Sequence, residues 1–154
     1  MGFIETLSWF NFLWAFLDKL FGLGFTTASD KSWLLGTSPT TGFLLNGAKG
    51  PFASLFHNLA NSVIVDWLFM VGLLFIGTML ILNVGTKLAS YAGALMLFLM
   101  WLAVLPPEHH PFLDEHIVYI IILMGLIFVD SDKIISMKKS WNNLKIVKKF
   151  SILS

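Results

Sequence analysis

With 154 residues the chain has the length of one ordinary domain, but 56% of it is hydrophobic and only 12% charged, at a mean hydropathy of +0.79. So few charges cannot cover a water-soluble surface, which excludes a soluble enzyme and assigns much of the surface to lipid. The formal net charge of +1 conceals an asymmetry, because all ten basic residues are lysine and six of them lie between Lys133 and Lys149. That bias carries membrane topology and does not point to nucleic acid. Without cysteine, these residues hold no disulfide, thiolate metal site, iron-sulfur cluster or cysteine redox relay.

The apolar residues fall into four blocks, and about 20 helical residues cross a bilayer core, so the expectation is an all-α integral membrane protein: an antiparallel bundle of four transmembrane helices. The first span covers about residues 3–24 and carries Glu5, Asp18 and Lys19. It has no basic leader and no small-residue cleavage site, and is expected to be a retained helix, not a signal peptide. A long outer connection, about 25–62, follows. It is punctuated by Gly36, Pro39, Gly42, Gly47, Gly50 and Pro51, and its apolar Phe52, Leu55, Phe56 and Leu59 have a helical spacing suited to an interface or to a cap on the bundle. The second span is about 63–82 and the third about 88–105, stopped by Pro106 and Pro107. The short NVGTK link makes these two an antiparallel pair, with Gly72, Gly77, Ala89, Ala92, Gly93 and Ala94 expected to allow close approach between them. The fourth span, about 112–129, starts with Asp114, Glu115 and His116, carboxylates being favoured where the helix dipole is positive. Residues 1–130 thus make the membrane domain and 131–154 a basic tail.

Four spans put both termini on one side of the membrane. A cytoplasmic assignment places Lys87 and the six tail lysines inside, against Lys31 and Lys49 outside, as the positive-inside rule requires. In the tail, Ile134, Met137, Trp141, Leu144 and Val147 recur at helical steps opposite Lys138, Asn142, Lys145 and Lys149, a pattern for a helix on an anionic leaflet, with a plain solvated basic tail as the alternative.

This topology gathers most other ionisable groups toward the outer side. Asp18 and Lys19 fall about 8 Å below the outer end of the first span at 1.5 Å per residue, and Asp66 about one turn inside the second. Charges at such depth are expensive, so Asp18, Lys19 and Asp66 are candidate functional residues, with snorkelling or simple helix pairing as the structural reading. Trp14 shares a helix face with Asp18, which favours Asp18 over Lys19 for the interior. The segment PPEHHPFLDEH, with Glu108, His109, His110, Asp114, Glu115 and His116, can relay protons, bind an anion or serve as interfacial structure. Its residue types suit zinc or iron, but the spacing matches no ordinary zinc signature, and no metal is assigned. Trp9, Trp14, Trp33, Trp67, Trp101 and Trp141 read first as interfacial belt residues, while an aromatic slot between helices would suit a quinone.

The strings FLWAFLDKLFGLGF, GTSPTTGFL, GPFASLF, VDWLFMVGLLFIG and PPEHHPFLDEHIVY, in this order, resemble the DoxX/DoxD family of small four-span membrane proteins. The resemblance covers about residues 9–129 and omits the lysine-rich tail. It implies a membrane subunit in a prokaryotic cell membrane, similar to the large subunit of thiosulfate:quinone oxidoreductase, which works with a small DoxA-type subunit. Positions matching the shared motifs are Trp14, Asp18, Lys19, Asp66, Trp67, Glu108, Pro111, Asp114, Glu115 and His116, with His110 a departure where asparagine is expected.

Two functions remain open. In the first, an oxidoreductase subunit binds a sulfur oxyanion outside and quinone between helices. Asp18, Asp66, Glu108 and His116 are then the catalytic candidates, and Trp14, Lys19, Trp67, His109, Asp114 and Glu115 the substrate-binding ones. No intrinsic redox cofactor is visible, so a partner would be needed. In the second, the chain is a non-catalytic anchor or scaffold in a larger membrane complex. A transporter or small-molecule carrier is a third, lesser reading.

Overall fold

A computed structural model describes residues 2–106 and 114–128, together with Trp141, Asn143 and Val147, and side chains from Phe10 onward. The described chain is helical, with six α-helices: α1 (Gly2–Phe21), α2 (Thr41–Asn46), α3 (Ala53–Leu59), α4 (Val63–Leu82), α5 (Thr86–Ala103) and α6 (Glu115–Leu126). No strand occurs among the described residues. Helices α4 and α5 are long and apolar enough to cross a membrane, while α6 is apolar but shorter. Most of the tail pattern, including Ile134, Met137, Leu144 and the six lysines, lies outside the described residues. So do Glu108, His109, His110 and Pro111.

Helix α1 packs on α4, α4 on α5 and α5 on α6, and α1 meets α6 less extensively. Their shared core contains Phe12 from α1, Met70, Leu73, Ile76 and Leu80 from α4, Ala89 from α5, and Leu123 and Leu126 from α6. The α4 residues recur at three- and four-residue steps, which puts them on one helical face. Its opposite side shows Ile64, Leu68, Val71 and Phe75 to the surroundings. Apolar residues on both faces are what a helix bordered by protein on one side and lipid on the other requires.

The helix ends explain the connections. Asn83 ends α4 in the left-handed region at φ 53, and Val84 N–H bonds back to the Met79 carbonyl at 3.0 Å. Gly85, also left-handed, opens α5, so the expected antiparallel pair turns within three residues. At the other end of the molecule, α1 stops at Phe21, short of the expected 24. Gly22 takes φ +67, and a Cβ there would lie 2.8 Å from the Ala28 carbonyl oxygen. Only glycine supplies both the conformation and the space for the chain to fold back.

The connection between α1 and α4 has its own small core, made by Leu44, Ala48 and Phe56 with Ala103 at the end of α5. Lys49 N–H donates to the Ala103 carbonyl at 2.8 Å, and Gly50 lies against the Leu105 carbonyl. The segment is therefore a cap on the end of α5, but of the expected apolar face only Phe56 is buried there, while Phe52, Leu55 and Leu59 are exposed. The small residues are shared differently from expectation. Gly72 faces Met96 of α5 and Gly93 meets Ile76 of α4 as expected, but Gly93 also meets Leu123 of α6 and Phe12 of α1, and Gly77 faces Leu13 of α1. Periodicity places these residues on faces without saying which neighbour each face meets.

A Cβ at Gly77 would stand 3.0 Å from Leu13 N, where backbone cannot yield easily. Gly77→Val is expected to cost about 1–3 kcal/mol by overpacking the α1/α4 contact. Gly125→Ala, where a Cβ meets nothing within 4 Å, should leave stability unchanged or raise it. Thermal unfolding of the purified protein in detergent checks both, and equal effects would refute the close-contact account.

Candidate functional site

Two buried carboxylates organise the polar structure. Asp18, in the last turn of α1, is 1% exposed. Its Oδ1 accepts from Phe25 N–H at 3.2 Å, and its Oδ2 accepts from Thr26 N–H at 3.0 Å and from the Thr26 hydroxyl at 2.6 Å. These donors belong to the segment that folds back after Gly22. The same fold-back sets Phe25 edge-on against Trp14 at 5.1 Å between ring centroids. Trp14 and Asp18 thus share a face, as their spacing predicts, and that face receives the returning loop. Both Asp18 oxygens are committed to the chain itself, and Lys19 sits beside it, half-buried.

Asp66 is 7% exposed in the first turns of α4. Its Oδ1 accepts from the Ser38 hydroxyl at 2.7 Å and the Thr40 hydroxyl at 2.5 Å. Ser38 Oγ in turn accepts from Thr41 N–H at 3.1 Å and from the Thr41 hydroxyl at 2.7 Å, and Thr41 Oγ1 accepts from Asn61 N–H at 3.0 Å. The GTSPTTG segment therefore closes on the start of α4 through its hydroxyls. Among the described residues every hydrogen bond to the Asp66 carboxylate falls on Oδ1. The neighbouring Trp67 is 57% exposed and meets Trp33 edge-on at 4.8 Å. Of the two rings only Trp67 is open, Trp33 being half-buried against the helical core. An acidic group next in sequence to an exposed indole can exchange a proton with a flat lipophilic ring or anchor a docking partner.

Asp114 caps α6, accepting from His116 N–H at 2.9 Å, and its Oδ1 also lies 2.5 Å from His116 Nδ1. This pair serves the helix start. Glu115 is exposed, as is His57. Among the described residues Asp18, Asp66 and His116 thus close their hydrogen bonds on three different sets of partners and share no network. Glu108 and His109 lie outside the described residues, so their place relative to these groups is not described. Among the described residues no group of three or more His, Asp or Glu could hold a metal.

Ser38, Thr40, Thr41 and Thr26 are polar residues that sequence reading passed over. The hydroxyl density of GTSPTTG could have marked Ser38, Thr40 and Thr41, whereas Thr26 lies outside that string. No family model, curated protein or solved structure matches the chain. What the fold itself defines is an all-helical protein with two helices able to cross a membrane.

The bonding pattern sets an expectation for substitutions. Asp18→Ala strips acceptors from three donors and should cost about 1–3 kcal/mol, with faster proteolysis across residues 22–36. Asp66→Ala and Ser38→Ala should couple by about 0.5–3 kcal/mol in a double-mutant cycle on thermal stability, while Asp18→Ala and Ser38→Ala add independently. Strong coupling in the second pair would merge the two networks.

Proposed function

We propose that the chain is a DoxX/DoxD-like integral membrane subunit in which α1, α4, α5 and α6 all cross the membrane, both termini are cytoplasmic, and the cap is outside. The function proposed is that of the membrane subunit of a thiosulfate:quinone-type oxidoreductase, acting with a small partner subunit. The observation that carries this reading is the meeting of GTSPTTG and VDW, two motifs of the resemblance, at Asp66. Ser38 and Thr40 are brought to Asp66 there from 28 and 26 residues away in sequence.

In this reading Asp66 does the proton work and Asp18 is a strut. A quinone supplies the acceptor for the two electrons released when two thiosulfates couple to tetrathionate, and takes up two protons. The residues fit such a ring: Trp33 and Trp67 offer aromatic surface, and Asp66 a titratable oxygen fixed by Ser38 and Thr40. Lys19 contributes positive charge toward the oxyanion, and the partner subunit completes the anion site. A second reading, a non-catalytic anchor or scaffold, is favoured by the use of Asp18 and Asp114 to secure the chain's own loop and helix start.

Purification from native membrane with bound subunits separates the two. Co-purified quinone and thiosulfate-dependent quinone reduction support the first, with Asp66→Asn lowering the rate by about 10²–10⁴-fold as loss of a proton-transfer group does. A stoichiometric assembly lacking that activity supports the scaffold.

The topology has its own test in a chain without cysteine. A membrane-impermeant thiol reagent applied to intact cells should label Ser54→Cys in the exposed cap and leave Asn143→Cys in the tail unlabelled. The reverse pattern overturns the orientation.

A further inference from the structure

The chain that leaves α1 dips twice beside the helices before it reaches the cap. It reverses at Gly22, and the Phe25 ring comes back along α1 to meet Trp14 edge-on at 5.1 Å. Trp14 lies seven residues before the last residue of α1, Phe21, about 10 Å inside the helix end at 1.5 Å per residue. The chain then rises. A Cβ at Gly22 would lie 2.9 Å from Ser29 Cα, which holds the short turn Ser29–Lys31 level with the end of α1. It descends again through the turn Trp33–Leu35. Trp33 packs against the bundle core, whose buried α4 residues begin at Met70, seven residues and about 10 Å inside the start of that helix at Val63.

Both dips carry large apolar side chains that the protein leaves uncovered: Phe25 is 70% exposed, Leu34 65% and Leu35 68%. Asp30 and Lys31, also exposed, stay on the raised turn between them. Apolar side chains at depth with charges at the helix-end level are the pattern of an element seated at the boundary of headgroups and acyl chains. Non-helical backbone at such depth needs its polar groups bonded within the protein. Asp18 takes the Phe25 and Thr26 N–H groups, and Gly24 N–H donates to the Thr27 carbonyl at 2.9 Å. In the second dip Leu35 and Gly36 N–H donate to the Ser32 and Trp33 carbonyls at 3.1 and 2.9 Å.

The contact of Trp33 with Trp67 sets the second dip beside the side of α4 that leaves Leu68 and Val71 exposed. What borders that side of α4 therefore borders Leu34 and Leu35. Lipid also covers two apolar points separated by a charged turn without needing a matching shape.

We infer that residues 22–36 are seated in the outer leaflet, with Phe25 and the Leu34/Leu35 pair inserted among lipid chains and Asp30 and Lys31 at the headgroups. This rests on the membrane assignment above and not on the quinone chemistry.

The test uses the full chain, which has no cysteine, in phosphatidylcholine liposomes with a nitroxide on single introduced cysteines. Collisions of each label with oxygen, which concentrates in lipid, are compared with collisions with a nickel chelate confined to water. Leu34→Cys, Leu35→Cys and Phe25→Cys are expected to match the high oxygen-to-nickel ratio of Val71→Cys on α4, and Asp30→Cys to show the low ratio of a label in water. Because Phe25 touches Trp14, a thermal transition checks the fold of that variant, and the two leucine positions decide if it does not fold. A low ratio at a folded Leu34→Cys, Leu35→Cys or Phe25→Cys protein places the loop in water, and few collisions with either reagent place it beneath another copy. Either result overturns the proposal. A low ratio at Val71→Cys itself refutes the membrane assignment, and the seating of the loop with it.

Discussion

The Asp66 carboxylate ties the cap to the helices. Its Oδ1 receives two hydroxyls from a segment more than 25 residues earlier in the chain, and the remaining order of that segment depends on those bonds. Ser38, once held, accepts from Thr41, and Thr41 accepts from Asn61 just before α4 begins. The hydroxyls satisfy the buried charge, and the charge fixes the hydroxyls. Neither is comfortable in a low-dielectric setting alone, so the network forms as a whole or is absent.

Asp18 solves the parallel problem on the other side of the connection. Backbone that folds back beside an apolar helix needs acceptors for its N–H groups, and the carboxylate provides them for Phe25 and Thr26. The two acids therefore clamp opposite ends of the same connection, one to α1 and one to α4. The apolar cluster of Leu44, Ala48, Phe56 and Ala103 holds the middle down on α5. Beside this arrangement Trp67 is exposed, while its ring partner Trp33 packs against the helical core.

Sequence read alone carried the helices better than their neighbours. Helix α4 matches its expected limits because a run that is apolar apart from Asp66 and Thr78 lies between Ser62 and Asn83. The overestimate at the end of α1 has a simple cause: the apolar letters of FGLGF continue past Phe21, but the backbone reverses at Gly22 and hydropathy does not register a reversal. Helix α6 starts at Glu115, later than the expected 112, because Asp114 caps it and does not lie within its first turn. Buried carboxylates could be singled out by their cost in an apolar helix, and both Asp18 and Asp66 are buried. Their partners were not legible, because Thr26 and Thr40 reach them through loop geometry that no periodicity encodes. The assignment of Gly77 to α5 failed for a related reason, since a face is a one-helix property and a contact belongs to two.

The three-residue link from α4 to α5 has a consequence for the order of assembly. These helices meet across a minimal turn, so the entropy lost in bringing them together is small. As the chain leaves the ribosome, the α4/α5 hairpin can close as soon as Ala103 has emerged, without reference to anything upstream. Helix α1 is synthesised first but must wait, since its contact with α4 spans the whole of residues 22–62, and α6 can only join a surface already made. The earliest helix is thus held back as a late arrival, and the hairpin at the centre of the chain is the template on which both flanks dock.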